Sequence, residues 1–307
     1  MPLRIDGSAG FRAWPPETGR RRLLASTLLL VASAAACSAD EPAAPAAPDQ
    51  DSAAMTQLVL PFDAYKTTPK QRAVLGNAHN HLVVQCMRER GSTVTPPAED
   101  AADIAAVDPG NSRRYGVTDI EAAKQYGYHL ARPPSPDTTG AWAAKLPKPV
   151  RHRLYGTAAD RGCLDRATQT LDKGARKADW PWFSLQDSLT LEQAAKDPTV
   201  KEAAKRWQSC MAQAGHSYPS PEAAIADKRW NLDEPEVTEE EKQTATADTR
   251  CKWSSGLVLA WYGADAELQQ DVIADNPRRF TALRSNLKQR LKRASGLLAQ
   301  HKSGQVG

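Results

Sequence analysis

Four cysteines, Cys86, Cys163, Cys210 and Cys251, each fall in a stretch that reads as helix, and this constrains the fold more than any other feature. Leu75, Ala78, Leu82 and Cys86 share one helical face, as do Val200, Ala203, Trp207, Cys210 and Ala214. Each of these two cysteines therefore points into a core. Both precede a methionine, Met87 and Met211, and both are followed five places on by a glycine, Gly91 and Gly215, suited to the left-handed position that closes a helix. Thr68-Pro69 and Asp197-Pro198 supply matching starts, a cap followed by proline at the first helical position. The order along the chain is CM helix, Cys helix, CM helix, Cys helix. Four cysteines permit three pairings, and a simple duplication joins Cys86 to Cys163 and Cys210 to Cys251. No C-x2-C pair is present and no histidine stands near a cysteine in ligand spacing, so no metal site is expected.

Composition agrees with helix. The 307 residues are only 6% aromatic, while Ala, Leu, Gln, Lys and Arg are plentiful. With 41% hydrophobic and 25% charged residues, the chain is not collagen, a polytopic membrane protein or wholly disordered. The expected fold is an all-α, disulfide-stabilised helical bundle of two related units, residues 61–175 and 176–307. Helices are expected near 69–90, 118–126, 158–173, 188–195, 198–214, 221–228, 238–264, 265–275 and 277–300. A Thr238-Glu241 capping box opens the long segment through Cys251, and Asn276-Pro277 separates the last two helices. The Pro-rich stretch 132–150 reads as a surface loop, and Trp180, Trp182 and Phe183 as an aromatic connection.

The N-terminus carries an address. Arg20, Arg21 and Arg22 precede the uncharged run Leu23–Ala36, which ends in small residues before Cys37. At 14 residues the run is shorter than the roughly 20 needed for a spanning helix, so residues 1–36 read as a secretory signal peptide. Ala34-Ala35-Ala36-Cys37 is similar to a bacterial lipobox, which implies cleavage before Cys37 and acylation of its thiol. Residues 37–60 then form a disordered Ala/Pro-rich tether. Of the 40 basic and 36 acidic residues, 35 and 34 remain after residue 36, so the basicity belongs mainly to the signal peptide and nucleic acid is not an expected partner.

Two blocks carry a family resemblance. Trp207, Cys210, Met211 and Gly215 form one, with His216 in the place of an aromatic; Ala247, Asp248, Cys251, Gly256 and Leu257 form the other. Together with CMRERG at Cys86 and RGCLDRA around Cys163, they resemble uncharacterised secreted lipoproteins of actinobacteria. That resemblance implies no activity. It hints at partnership with envelope transporters, because some such lipoproteins are encoded beside them.

Motifs that specify a reaction are missing. His79 and His81 stand two apart and would not share a helical face, Gly215-His216-Ser217-Tyr218 lacks the second glycine of a nucleophile elbow, and no phosphate loop, H-E-x-x-H or S-x-x-K occurs. Glu239-Glu240-Glu241 suits a helix start, and Trp180, Trp182 and Trp230 read as plugs between helices, with the lining of a sugar or peptide groove by stacking as the alternative. No catalytic residue and no cofactor are expected. The last helix has an apolar stripe, Phe280, Leu283, Leu287, Leu291, Ala294 and Leu298, and a cationic remainder, Arg278, Arg279, Arg284, Lys288, Arg290, Lys292 and Arg293. The stripe should dock on the bundle, and the cations are candidates for contact with anionic headgroups or cell-wall polymers. The expected protein is a lipid-anchored, non-enzymatic accessory or binding component at the outer face of the cytoplasmic membrane. The alternatives are a secreted cell-wall hydrolase with dispersed acid/base residues and a soluble secreted ligand-binder.

Overall fold

In a computed structural model, which describes residues 58–108, 110–130 and 142–304, the described residues are helical with no strand. The signal peptide, Cys37 and the tether up to residue 57 lie outside the described residues, as does 132–141 of the Pro-rich stretch. The helices are α1 (Pro69–Glu89), α2 (Ala101–Val107), α3 (Ile120–Tyr126), α4 (Trp142–Ala144), α5 (Lys148–Tyr155) and α6 (Cys163–Asp172). They continue as α7 (Trp180–Ala194), α8 (Pro198–Gln213), α9 (Pro221–Ile225), α10 (Glu239–Ser254), α11 (Leu257–Asp275) and α12 (Pro277–Gly304). None is long and apolar enough to cross a membrane.

The CM repeat is a repeated helix ending. Gly91 and Gly215 have φ of 70° and 85°, and the next N–H, from Ser92 or His216, reaches back to the carbonyl of Met87 or Met211. Both methionines are fully buried. Both cysteines bond as the duplication expects: Cys86 to Cys163 and Cys210 to Cys251. The partner helices are not equivalent, because Cys163 begins α6 whereas Cys251 lies in the last turn of α10.

Three boundaries differ from expectation. The aromatic connection is the start of α7, since Asp179 caps the Trp182 N–H and Pro181 stands in the first turn. The segment 238–264 breaks at Gly256, whose φ of 74° separates α10 from α11. Within the Pro-rich stretch, Pro147 and Pro149 lead α5.

Cores from the two halves of the chain interlock. Tyr115, Val117, Ala123 and Tyr128 pack with Trp207, Met211, Trp230 and Trp261. Conversely, Ala294 of α12 is buried with Ala78 of α1 and Leu171 of α6. The apolar stripe of α12 docks as expected, with Phe280 and Leu283 against Phe62, Tyr65 and Phe183.

Helix α10 brings charge into this core. Lys252 Nζ lies 2.6 Å from Asp248 Oδ2, with both side chains fully enclosed, and the Trp207 indole donates to Asp248 Oδ1 at 2.9 Å. Burial raises the Asp248 carboxyl above its ordinary range, against the pull of Lys252. Only half of the Thr238-Glu241 capping box forms: Thr238 accepts from the Glu241 N–H, but the Glu241 carboxylate turns inward. Its Oε1 accepts from the Tyr128 N–H at 2.7 Å and lies 2.8 Å from His129 Nδ1. Gly127 makes room for it, with φ of 57° and an added Cβ falling 2.4 Å from Glu241 Oε1. Gly127→Ala should therefore cost about 1–3 kcal/mol, measured by urea denaturation, whereas Gly91→Ala should cost less, adding only the strain of a left-handed backbone because open space surrounds it.

Candidate functional site

A cleft of about 890 Å³ opens where the start of α1, the turn after α2, α7 and α12 meet. Local chemistry explains how each wall is held. Phe62 and Tyr65 of the 3-10 turn Pro61–Tyr65 are buried among aromatics, and the Phe62 N–H donates to Gln269 Oε1 at 2.9 Å. That anchoring delivers Lys66, Thr67 and Thr68 to the rim just before the proline that starts α1. Lys66 Nζ bridges two acids, 3.4 Å from Asp63 Oδ1 and 3.0 Å from Asp187 Oδ2.

Arg114 is the centre of the structure behind the cleft. Its Nε lies 2.5 Å from Asp265 Oδ2, its Nη1 3.0 Å from Asp187 Oδ1, and its Nη2 donates to the Asp187 carbonyl at 2.8 Å. Asp265 is wholly buried and also accepts from the Tyr115 hydroxyl at 2.9 Å and from Gln269 Nε2 at 3.1 Å. Burial, reinforced by the Asp265 charge, pushes the Tyr115 hydroxyl well up, so it stays a neutral donor. One guanidinium thus ties the turn before α3 to α7 and α11.

The opposite wall holds Arg72, paired with Asp108. Burial would raise the Asp108 carboxyl, but the hydrogen-bonded Arg72 and the Gly110 N–H more than offset this and hold it below its usual range. Arg113 donates to the carbonyls of Tyr128 and His129 and has no carboxylate within ion-pairing distance among the described residues. Trp180, Phe183 and Leu287 give the cleft an apolar side. Every carboxylate lining it lies within ion-pairing distance of a cation.

Sequence reasoning did not find this site, because its residues come from four separated segments. Of the α12 cations, Arg290 reaches the cleft and pairs with Asp172 at 2.8 Å. Arg279 pairs with Asp179 and lies over Trp182, Arg284 lies over Tyr65, and Arg293 donates to the Lys173 carbonyl. Arg278, Lys288 and Lys292 are exposed without an ion pair among the described residues. At roughly 100° per residue these three fall within about 80° of one another on the outer side of the helix.

The histidines remain apart from any such centre. His79 Nε2 contacts the Leu164 carbonyl at 3.1 Å, and the His81 ring lies tilted against that of His301. Among the described residues no three His, Cys, Asp or Glu side chains gather as a metal site. Trp230 is buried and donates to the Ala224 carbonyl, whereas Trp180 and Trp182 are half-buried around Phe183 and Phe280.

No family model matches the chain, and comparisons with curated proteins and with solved structures found no match.

Proposed function

We propose that this chain is a lipid-anchored accessory or binding protein at the outer face of the cytoplasmic membrane, without enzymatic activity, working beside an envelope transporter. The observation that carries the reading is the pair of disulfides, Cys86–Cys163 and Cys210–Cys251, in a chain whose fifth cysteine stands directly after an apolar run and three small residues. Disulfides persist in oxidising compartments, and the even count sets Cys37 aside for lipid. Membership of the actinobacterial lipoprotein family belongs to the same proposal, as does contact of Arg278, Lys288 and Lys292 with anionic headgroups or cell-wall polymer.

Cys37→Ser tests the anchor. The wild-type chain should fractionate with membranes and resist high salt, and crosslinking in intact cells should capture a transporter subunit. The variant should be released, and any residual membrane association through the α12 cations should disappear as salt shortens the screening length to about 3 Å near 1 M. A Cys37→Ser chain that stays membrane-bound in high salt would overturn the lipid anchor.

A further inference from the structure

We propose that the cleft at the start of α1 binds an anionic saccharide, a polyhydroxylated ring bearing a carboxylate or a phosphate. The proposal rests on the binding reading above and is independent of the lipid anchor. Its volume, about 890 Å³, lies within the range of small-molecule sites, and its walls come from both disulfide-bonded halves, a common location for such sites.

Guanidinium donors select the ligand. Five cations line the cleft, Lys66, Arg72, Arg113, Arg114 and Arg290, against three carboxylates. Asp265 stands behind Arg114 and Asp172 beside Arg290, so five cations face five carboxylates, and it is guanidinium donors left unspent, not net charge, that a ligand would meet. Two of the five keep unused donors. Arg72 pairs with Asp108 through Nη2 while its buried Nε has no hydrogen-bond partner, and the buried Nε of Arg290, although 2.8 Å from Asp172 Oδ1, has none either. Helices α1 and α12 pack together in the Ala78–Ala294 cluster, so one guanidinium from each helix reaches the same cleft. Guanidinium donors suit the planar or tetrahedral oxygens of carboxylate and phosphate.

The acids decide the rest of the ligand. Asp63 and Asp187 already hold Lys66, and Asp108 holds Arg72, so no carboxylate is left to neutralise an ammonium group. Their remaining lone pairs can still accept from neutral hydroxyls. Thr67 and Ser184 add hydroxyls on the lining, and Trp180 with Leu287 offers an apolar flank for the face of a ring. A ligand with an anionic group, many hydroxyls and a partly apolar ring face satisfies these requirements together.

Calorimetric titration of the full exported chain with D-glucuronate, D-glucose 6-phosphate, D-glucose and inorganic phosphate tests the proposal. At least one of the two sugar anions should bind with one-to-one stoichiometry, about tenfold or more tighter than D-glucose and tighter than inorganic phosphate. Which of the two binds separates carboxylate from phosphate recognition. Arg72→Gln and Arg290→Gln should each weaken binding about tenfold, while Arg278→Gln, outside the cleft, should leave it unchanged. Near-UV circular dichroism identifies a variant that has failed to fold, and the other cleft arginine then carries the comparison. Absence of binding by both sugar anions at about 10 mM, equal binding of D-glucose or of inorganic phosphate, or wild-type affinity in both folded cleft variants would overturn it. Membrane fractionation of Cys37→Ser reads the anchor separately, so failure of one reading leaves the other standing.

Discussion

Asp265→Ala is expected to destabilise the fold by about 3–5 kcal/mol, the usual consequence of removing one partner from a buried ion pair. The loss has a specific origin. Arg114 is 9% exposed and Asp265 is fully buried, so the substitution takes the enclosed carboxylate from this guanidinium and leaves it only Asp187, and it also leaves the Tyr115 hydroxyl and Gln269 Nε2 without their acceptor. Gln269 in turn anchors the Phe62 N–H, so the aromatic cluster around the 3-10 turn should loosen with it. Urea denaturation measures the loss, with Glu192→Ala as control. That residue pairs with Lys196 at 2.7 Å, but both side chains are more than half exposed, so solvent screens the pair and its loss should be barely measurable. Equal losses in the two variants would mean that the Arg114 network is not a buried determinant of the fold.

The second large effect concerns the crosslinks. Replacing both members of a pair by alanine should cost about 4 kcal/mol for Cys210–Cys251, which spans 41 positions, and slightly more for Cys86–Cys163, which spans 77. Losing both approaches the whole stability of an ordinary domain, about 5–15 kcal/mol. The fully reduced chain should therefore melt far below the oxidised one when followed by circular dichroism, and each double-alanine variant should fall between. A reduced chain with an unchanged melting temperature would show that helix packing alone holds the fold.

The helix endings and the disulfide pairing could be read from the sequence because they depend on local signals, a cap with proline, a CM pair and a glycine five places on. The start of α7 carried the same signal in Asp179 and Pro181, which the neighbouring aromatics obscured. Buried charge was harder. Asp248 and Lys252 are four apart, as in many surface pairs, and Glu241 sits where a capping box expects it, so nothing local distinguishes them from solvated side chains. The cleft was not legible at all, since Lys66, Arg72, Arg114, Asp187 and Arg290 meet only after the helices have packed. Cys37 remains a sequence-based assignment, being outside the described residues.

The packing of α12 on α1 sets an order on folding. A chain delivered amino end first presents α1 and α6 before the last helix has arrived, and Ala78, Leu75 and Leu82 then lack the cover that Ala294, Leu297 and Leu298 provide. The Cys86–Cys163 bond can close in that interval, since both of its cysteines precede α7. An early covalent clasp would hold the first half together while its apolar surface waits, and truncation at the carboxyl end would leave that surface open to aggregation.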